Sequence, residues 1–179
     1  MDSVRGQLLI AGPTLLDPNF WRTVVLVIEH TDEGALGLVL NRPSETVVGD
    51  AVPDLGEMID DEDLLFIGGP VQPAAVVVLG RFEDPTDAAL IAFDDIGVLG
   101  TADSVQSAGL IQSRAFVGHA GWGPGQLDAE LERGDWIVER AHSGDAFSTS
   151  PRDLWASVLT RKGGSYALVA RMPPDPSSN

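Results

Sequence analysis

The stretch RTVVLVIEHTDEGALGLVLN, residues 22–41, sets two apolar runs around a polar turn. Residues 22–30 are crowded with β-branched side chains, residues 31–34 have turn chemistry, and residues 35–41 return. That pattern predicts a β-hairpin. Residues 24–28 form a continuous apolar run with no alternation, so both faces of that strand are expected to be buried. A turn centred on Glu33 and Gly34 would set His30 opposite Gly37 and Asn41 opposite Leu26. His30 and Asn41 would then share a face at opposite ends of the pair. Pro43 stops the return strand, because it has no N–H for a ladder.

Strands are expected on both sides of this hairpin. Gln7–Ala11 precedes it and Leu64–Ile67 follows, closed by a Gly68, Gly69, Pro70 turn. Further strands are predicted at 75–79, extending toward Phe82, and at 89–93, 96–99, 115–119 and Trp136–Arg140. Residues 45–52 read as a short helix, and Asp103 or Ser104 would cap another reaching Ala108. Residues 126–133 read as a helix with Leu127 and Leu131 on one face and Gly134 just past its end. Ser150 and Pro151 start a helix to Arg161 whose apolar stripe is Leu154, Trp155, Val158 and Leu159. Residues 166–171 fit strand or helix. Strands outnumber helices, which points to an α+β fold with a largely antiparallel sheet. One domain is expected over residues 1–172, with a disordered tail at 173–179.

The chain has 179 residues with 27 acids against 11 bases, a formal charge of −16, and no cysteine. Disulfides and thiolate metal sites are therefore excluded. Phosphate recognition needs clustered Lys and Arg, and only Arg161 and Lys162 are adjacent, so direct nucleic-acid binding is disfavoured. The same charge disfavours anionic membranes. No apolar run reaches the length of a membrane span, and the apolar run at 8–11 is too short for a secretory leader. A cytoplasmic protein is expected, with no cofactor and no metal.

The stretch HAGWGPGQLDAELERGDWIV, residues 119–138, could cradle an anion before a helix. It contains no Walker sequence and no G-x-G-x-x-G, Pro124 removes a donor, and Asp128 already serves the helix dipole. It reads first as a helix start whose glycines let Trp122 pack closely. His30, Asn41 and Arg42 could line a pocket, against the plainer reading of a satisfied histidine and a strand-end cap. FIGGPV (66–71) reads as a glycine turn. Six acids fall within residues 54–63, but they miss the EF-hand pattern and read as a solvated face. No nucleophile elbow, H-E-x-x-H, catalytic cysteine or kinase set is present.

Three motifs together resemble the bacterial YqgE/AlgH family: GQLLIAGPTLLDPNFWRTVVLVIEHTDEGALGLVLNRP (6–43), FIGGPV (66–71) and GHAGWGPGQLDAELERGDWIV (118–138). They cover most of the chain in order. The resemblance implies a bifurcated sheet with a small closed barrel, flanked by helices. It carries a transcriptional-regulator label and no assigned activity. Two positions depart from the family pattern: His119 stands where tyrosine is usual, and Gly80 where histidine is frequent.

The expected function is a non-enzymatic binding or regulatory protein that recognises a protein partner or a small ligand. The candidate site is His30, Asn41, Arg42, Gly68, Gly69, Gly121, Trp122, Gly123 and Gln126. The alternative is a small-molecule hydrolase using His30, or a carboxylate such as Glu29 or Asp17, as base.

Overall fold

The computed structural model describes residues 2–55, 59–99 and 109–174. Its strands are β1 (Gln7–Ala11), β2 (Val24–Thr31), β3 (Gly34–Val39), β4 (Pro43–Val47), β5 (Leu64–Ile67), β6 (Val71–Phe82), β7 (Leu90–Phe93), β8 (Ile96–Val98), β9 (Leu110–Trp122) and β10 (Trp136–Arg140). Its α-helices are short: α1 (Val48–Ala51), α2 (Gln126–Glu132), α3 (Ser143–Ala146), α4 (Leu154–Lys162) and α5 (Ser165–Val169). Among the described residues, no helix is long and apolar enough to cross a membrane.

The fold is mixed α+β around one large sheet, in the order β10-β1-β2-β3-β9-β6-β8-β7 and antiparallel throughout that path. The sheet forks at β9. One edge of β9 pairs with β6, while the other is shared by β3 at Ala120–Trp122 and, in parallel, by β5 at Phe66 and Ile67. β4 continues that second arm through β5.

β2 shows why the apolar run at 24–28 has no alternation. Val24, Leu26 and Ile28 enter a core with Leu8, Ile10, Leu38, Phe116 and the α4 stripe Leu154, Trp155, Val158 and Leu159. Val25 and Val27 enter a second core on the other face, with Leu9, Val39, Trp122, Leu127 and Trp136. All five β2 side chains have no exposed surface, and burying each contributes roughly 2 kcal/mol. A third core, around Val48, Leu65, Val78, Phe82 and Ala115, holds the β4–β5 arm to the sheet.

The hairpin forms, but with a different register. Thr31 pairs with Gly34 and His30 with Ala35, so the turn centres on Asp32 and Glu33, and Leu38, not Asn41, lies opposite Leu26. An irregularity between Val27 and Glu29 takes up one residue of β2. A bulge of this kind is invisible to a strict two-residue period.

The expected small closed barrel is also corrected. Among the described residues the two ends of the sheet path, β7 and β10, do not pair with each other. Side chains occupy the carbonyls at both ends. At β7, Arg5 donates to Ile91 O from Nε at 3.1 Å and again from Nη2. Gly6 (φ +78°) fits between β2 and β7: its N–H bonds Val27 O at 2.8 Å, and a Cβ there would collide with Ala92 O. At β10, Arg161 Nη2 donates to Arg140 O at 3.0 Å and Lys162 Nζ to Val138 O at 2.9 Å. Cationic side chains blunt an open edge in this way without a closing strand.

Other local expectations shift. Residues 45–52 divide into the end of β4 and the four residues of α1, and Pro43 opens β4 at the position where a missing N–H matters least. A 3-10 turn, Pro151–Asp153, precedes α4. Residues 166–169 lie in helix α5. Arg22 Nη2 donates to the carbonyls of Met172 and Pro173 at 2.8 Å each, and residues 175–179 of the expected tail lie outside the described residues. The helix expected at 103–108 lies outside the described residues.

Candidate functional site

The polar residues singled out in the sequence make internal bonds. The Nδ1 of His30 accepts the Val4 N–H at 3.0 Å, and its Nε2 lies 3.0 Å from Asp128 Oδ1. Because Nδ1 accepts, Nε2–H is the donor of the second bond and Asp128 Oδ1 its acceptor. Both ring nitrogens are engaged and the side chain is only 6% exposed. Asn41 Oδ1 accepts the Val24 N–H at 3.0 Å and its Nδ2 donates to Arg22 O at 2.9 Å. The carboxamide thus extends the ladder past Leu40 and steadies Arg22, whose φ is +53°.

Arg42 reaches into the loop before β2. It donates to Asn19 O at 2.7 Å, Pro18 O at 2.9 Å and Trp21 O at 3.1 Å. Burial lowers its pKa, and the charge of Asp17 opposes that.

Glycines in the other two motifs permit close approach. Gly68 N–H bonds Val117 O at 2.8 Å, and Gly68 O accepts the Val39 N–H at 2.9 Å. A Cβ on Gly69 would strike the backbone of His119 and Ala120. Past Gly121, which faces Val71, the chain closes on itself: Gln126 Oε1 accepts the Gly123 N–H at 3.0 Å. Gln126 Nε2 and the indoles of Trp122 and Trp136 all donate to Glu130, at 2.9, 3.2 and 3.0 Å. The two indoles stand edge to face with centroids 6.1 Å apart, and Phe20 packs on both.

The three motifs therefore interlock as backbone. Arg42 O accepts the Ile67 N–H at 2.9 Å, Gly68 bridges β3 and β9, and Val71 pairs with His119. Among the described residues, the polar atoms of His30, Asn41 and Arg42 bond to groups within the protein. Glu29 lines a shallow hollow with Glu33, Gly34 and Trp122, and neither His30 nor Asp17 lines it. The two departures from the family pattern are placed as well. His119 is half-buried on β9, and burial lowers its pKa. Gly80 is inside β6, where any side chain would press on Leu110.

A cavity lies elsewhere, between the β4–β5 arm and residues 148–153. It measures about 450 Å³, and Pro43, Leu64, Phe66, Ala115 and Pro151 give it apolar walls. Ser148, Thr149 and Ser150 border it with Asp63, Arg152 and Asp153, and Arg114 lines it too. Arg114 precedes Phe116 by two residues and so shares its face of β9. Its guanidinium lies 4.4 Å over the Phe66 ring, a cation–π contact. Its one hydrogen bond among the described residues is long, 3.4 Å from Nη1 to Ala146 O. Burial lowers its pKa while Asp63 opposes, and an arginine so placed keeps its proton. A second hollow of about 280 Å³, lined by Asp60 and Gln112, shares Arg114 and Asp63 with the first.

Sequence reasoning missed Arg114 because the strand was expected to begin at Ala115. Once β9 is traced from Leu110, a charged residue on the face of Phe116 is the available signal.

The family described as DUF179, AlgH-like, matches residues 8–167. A UPF0301 protein of Thermobifida fusca is 43% identical, across 99% of this chain and 96% of its own length. A UPF0301 protein of Streptomyces coelicolor is 41% identical, across 100% and 97%. Among solved structures, a Corynebacterium diphtheriae protein superposes with a TM-score of 0.82 at 28% identity, covering 96% of this chain and 94% of that one. The solution structure of the AlgH protein from Pseudomonas aeruginosa gives a TM-score of 0.74 at 27% identity, covering 97% of each chain.

Proposed function

This chain belongs to the AlgH-like family, and from that premise we propose that it is a non-catalytic binding protein with a regulatory role, whose ligand or partner seats in the Arg114 cleft. The observation that carries this reading is the guanidinium itself. It is half-buried, stacked on Phe66 and, among the described residues, held by a single long hydrogen bond, so most of its donors are left for another molecule. A cavity of about 450 Å³ with apolar walls and a few polar groups has the character of a ligand site.

The hydrolase alternative loses support at His30, whose two ring nitrogens already engage Val4 and Asp128, while of its carboxylate bases Glu29 borders a hollow that Asp17 does not line. Direct action on DNA gains none, since the charge is −16 and several of the basic side chains are turned inward.

A thermal-shift panel of carboxylates, phosphates, nucleotides, sugars and divalent metals tests the binding reading. A ligand present at about 100 times its Kd adds roughly 2.7 kcal/mol of stability. A compound that stabilises the wild-type protein but not Arg114→Gln supports the cleft. A compound that stabilises both equally places binding elsewhere, and turnover of any panel compound overturns the non-catalytic reading.

A further inference from the structure

We infer that the Arg114 cleft takes a singly charged amphiphilic carboxylate, with the carboxylate forked on the guanidinium and the apolar body against Leu64, Phe66 and Pro151. This rests on the binding reading above and names the chemistry of its ligand.

The guanidinium is a planar fork that matches a carboxylate through two parallel hydrogen bonds. Stacking on Phe66 occupies its face and leaves its N–H edge for a ligand. Among the described residues no carboxylate lies within ion-pair distance of it; Asp63 acts on it only through space. The charge is thus partly desolvated, oriented and unpaired.

The surroundings limit the ligand to one negative charge. Asp63 and Asp153 border the cleft along with Arg114 and Arg152, so its formal charges cancel. The whole chain adds a field of −16. A phosphate dianion would bring a second negative charge into a cleft whose two arginines are already offset by two aspartates. The walls ask for an apolar body: Leu64 is 39% exposed, and Pro43 and Pro151 line the cleft above the nearly buried Phe66. A small carboxylic acid and the C-terminal carboxylate of a partner chain both offer this chemistry.

The test is an NMR titration of the full-length protein labelled with 15N, following the Arg114 Nε–H and the backbone amides of Leu64 and Phe66. The probes are 4-phenylbutanoate, its primary amide and phenyl phosphate, with a short peptide ending in a free phenylalanine carboxylate and the same peptide amidated. The acid is expected to move all three signals, and the amide to bind roughly tenfold more weakly or worse, the scale of a lost charge-assisted hydrogen bond. In Arg114→Gln, acid and amide should become equivalent. The free-ended peptide binding tighter than 4-phenylbutanoate assigns the site to a partner's C-terminus, and the reverse assigns it to a small molecule; both support the inference.

Equal binding of acid and amide by the wild-type protein overturns it, as does tighter binding of phenyl phosphate. The comparison of acid with amide needs no variant, so it stands even if Arg114→Gln misfolds. If another class from the thermal-shift panel moves the cleft signals and the acid does not, the carboxylate inference fails and the binding reading survives. If no compound moves them, both fail.

Discussion

Arg161 holds Asp145 through both of its terminal nitrogens, at 2.8 and 2.9 Å, and Asp145 is only 5% exposed. The same carboxylate accepts the His142 N–H at 2.8 Å, and Arg161 also bonds Arg140 O. Three elements, α3, α4 and β10, therefore meet at one ion pair. The hydrogen bonds it donates to Asp145 raise the pKa of Arg161, so the guanidinium keeps its charge. Removing the cation would strand a buried carboxylate. Arg161→Met is expected to cost about 3 kcal/mol in urea unfolding. Arg161→Lys should recover only part of that, because an ammonium lacks the fork. A loss below a few tenths of a kcal/mol would show the pair to be ornamental.

Glu130 gathers three donors that would otherwise lack a strong acceptor. Glu130→Ala leaves the indole N–H groups of Trp122 and Trp136 without it in a largely buried site, and about 2 kcal/mol should be lost. Glu130→Gln keeps an acceptor oxygen and should lose less. Melting temperature and tryptophan emission read both effects, and a change in Tm without a change in emission would contradict the shared role.

Arg42 separates anchoring from ligand binding. Its three carbonyl partners all lie between Pro18 and Trp21. Arg42→Ala is predicted to speed amide exchange in that loop and to cost about 2 kcal/mol. Any affinity measured in the Arg114 cleft should be unchanged. A parallel loss of cleft binding would mean that Arg42 does more than fasten the loop.

His119 gives the protein a pH signature. Burial pushes its pKa below the ordinary 6.5, so the folded state favours neutral imidazole. As pH falls below 6.5, the unfolded chain takes up this proton first. Stability contributed by His119 is complete above that pH and is lost as pH drops toward the folded pKa. His119→Tyr, which removes the titrating group and keeps a ring, should flatten the slope of stability against pH in this window. An unchanged slope in chemical denaturation would remove His119 as its source.

The strands were legible wherever burial imposed a short period or turn residues bounded a run. Gln7–Ala11, Leu64–Ile67 and Trp136–Arg140 stand where their apolar patterns predicted. The run at 24–28 announced a strand buried on both faces, and the two cores bear that out. The hairpin register was not legible, because a bulge adds a residue without changing the apolar pattern. Family membership was legible from three short motifs. What those motifs do locally was not, because polarity marks a residue as needing a partner without saying whether the partner is a ligand or a backbone group. Asn41 and Arg42 found backbone, as did one nitrogen of His30. Arg114, drawn from an unremarked part of β9, borders the cavity beside the β4–β5 arm.

Among the described residues, Arg5, Arg22, Arg42, Arg114, Arg161 and Lys162 donate to backbone carbonyls. Their positive charge is drawn toward the chain while the acids remain largely outside. In dilute buffer the molecule behaves as a polyanion wrapped in an atmosphere of counter-cations, and two copies meet across mutual repulsion. Added electrolyte compresses that atmosphere to a Debye length of about 10 Å at 0.1 M. An anion approaching Arg114 must cross the same repulsive field. Its association should therefore quicken as moderate salt is added, the opposite of the trend for a ligand drawn in by a basic surface.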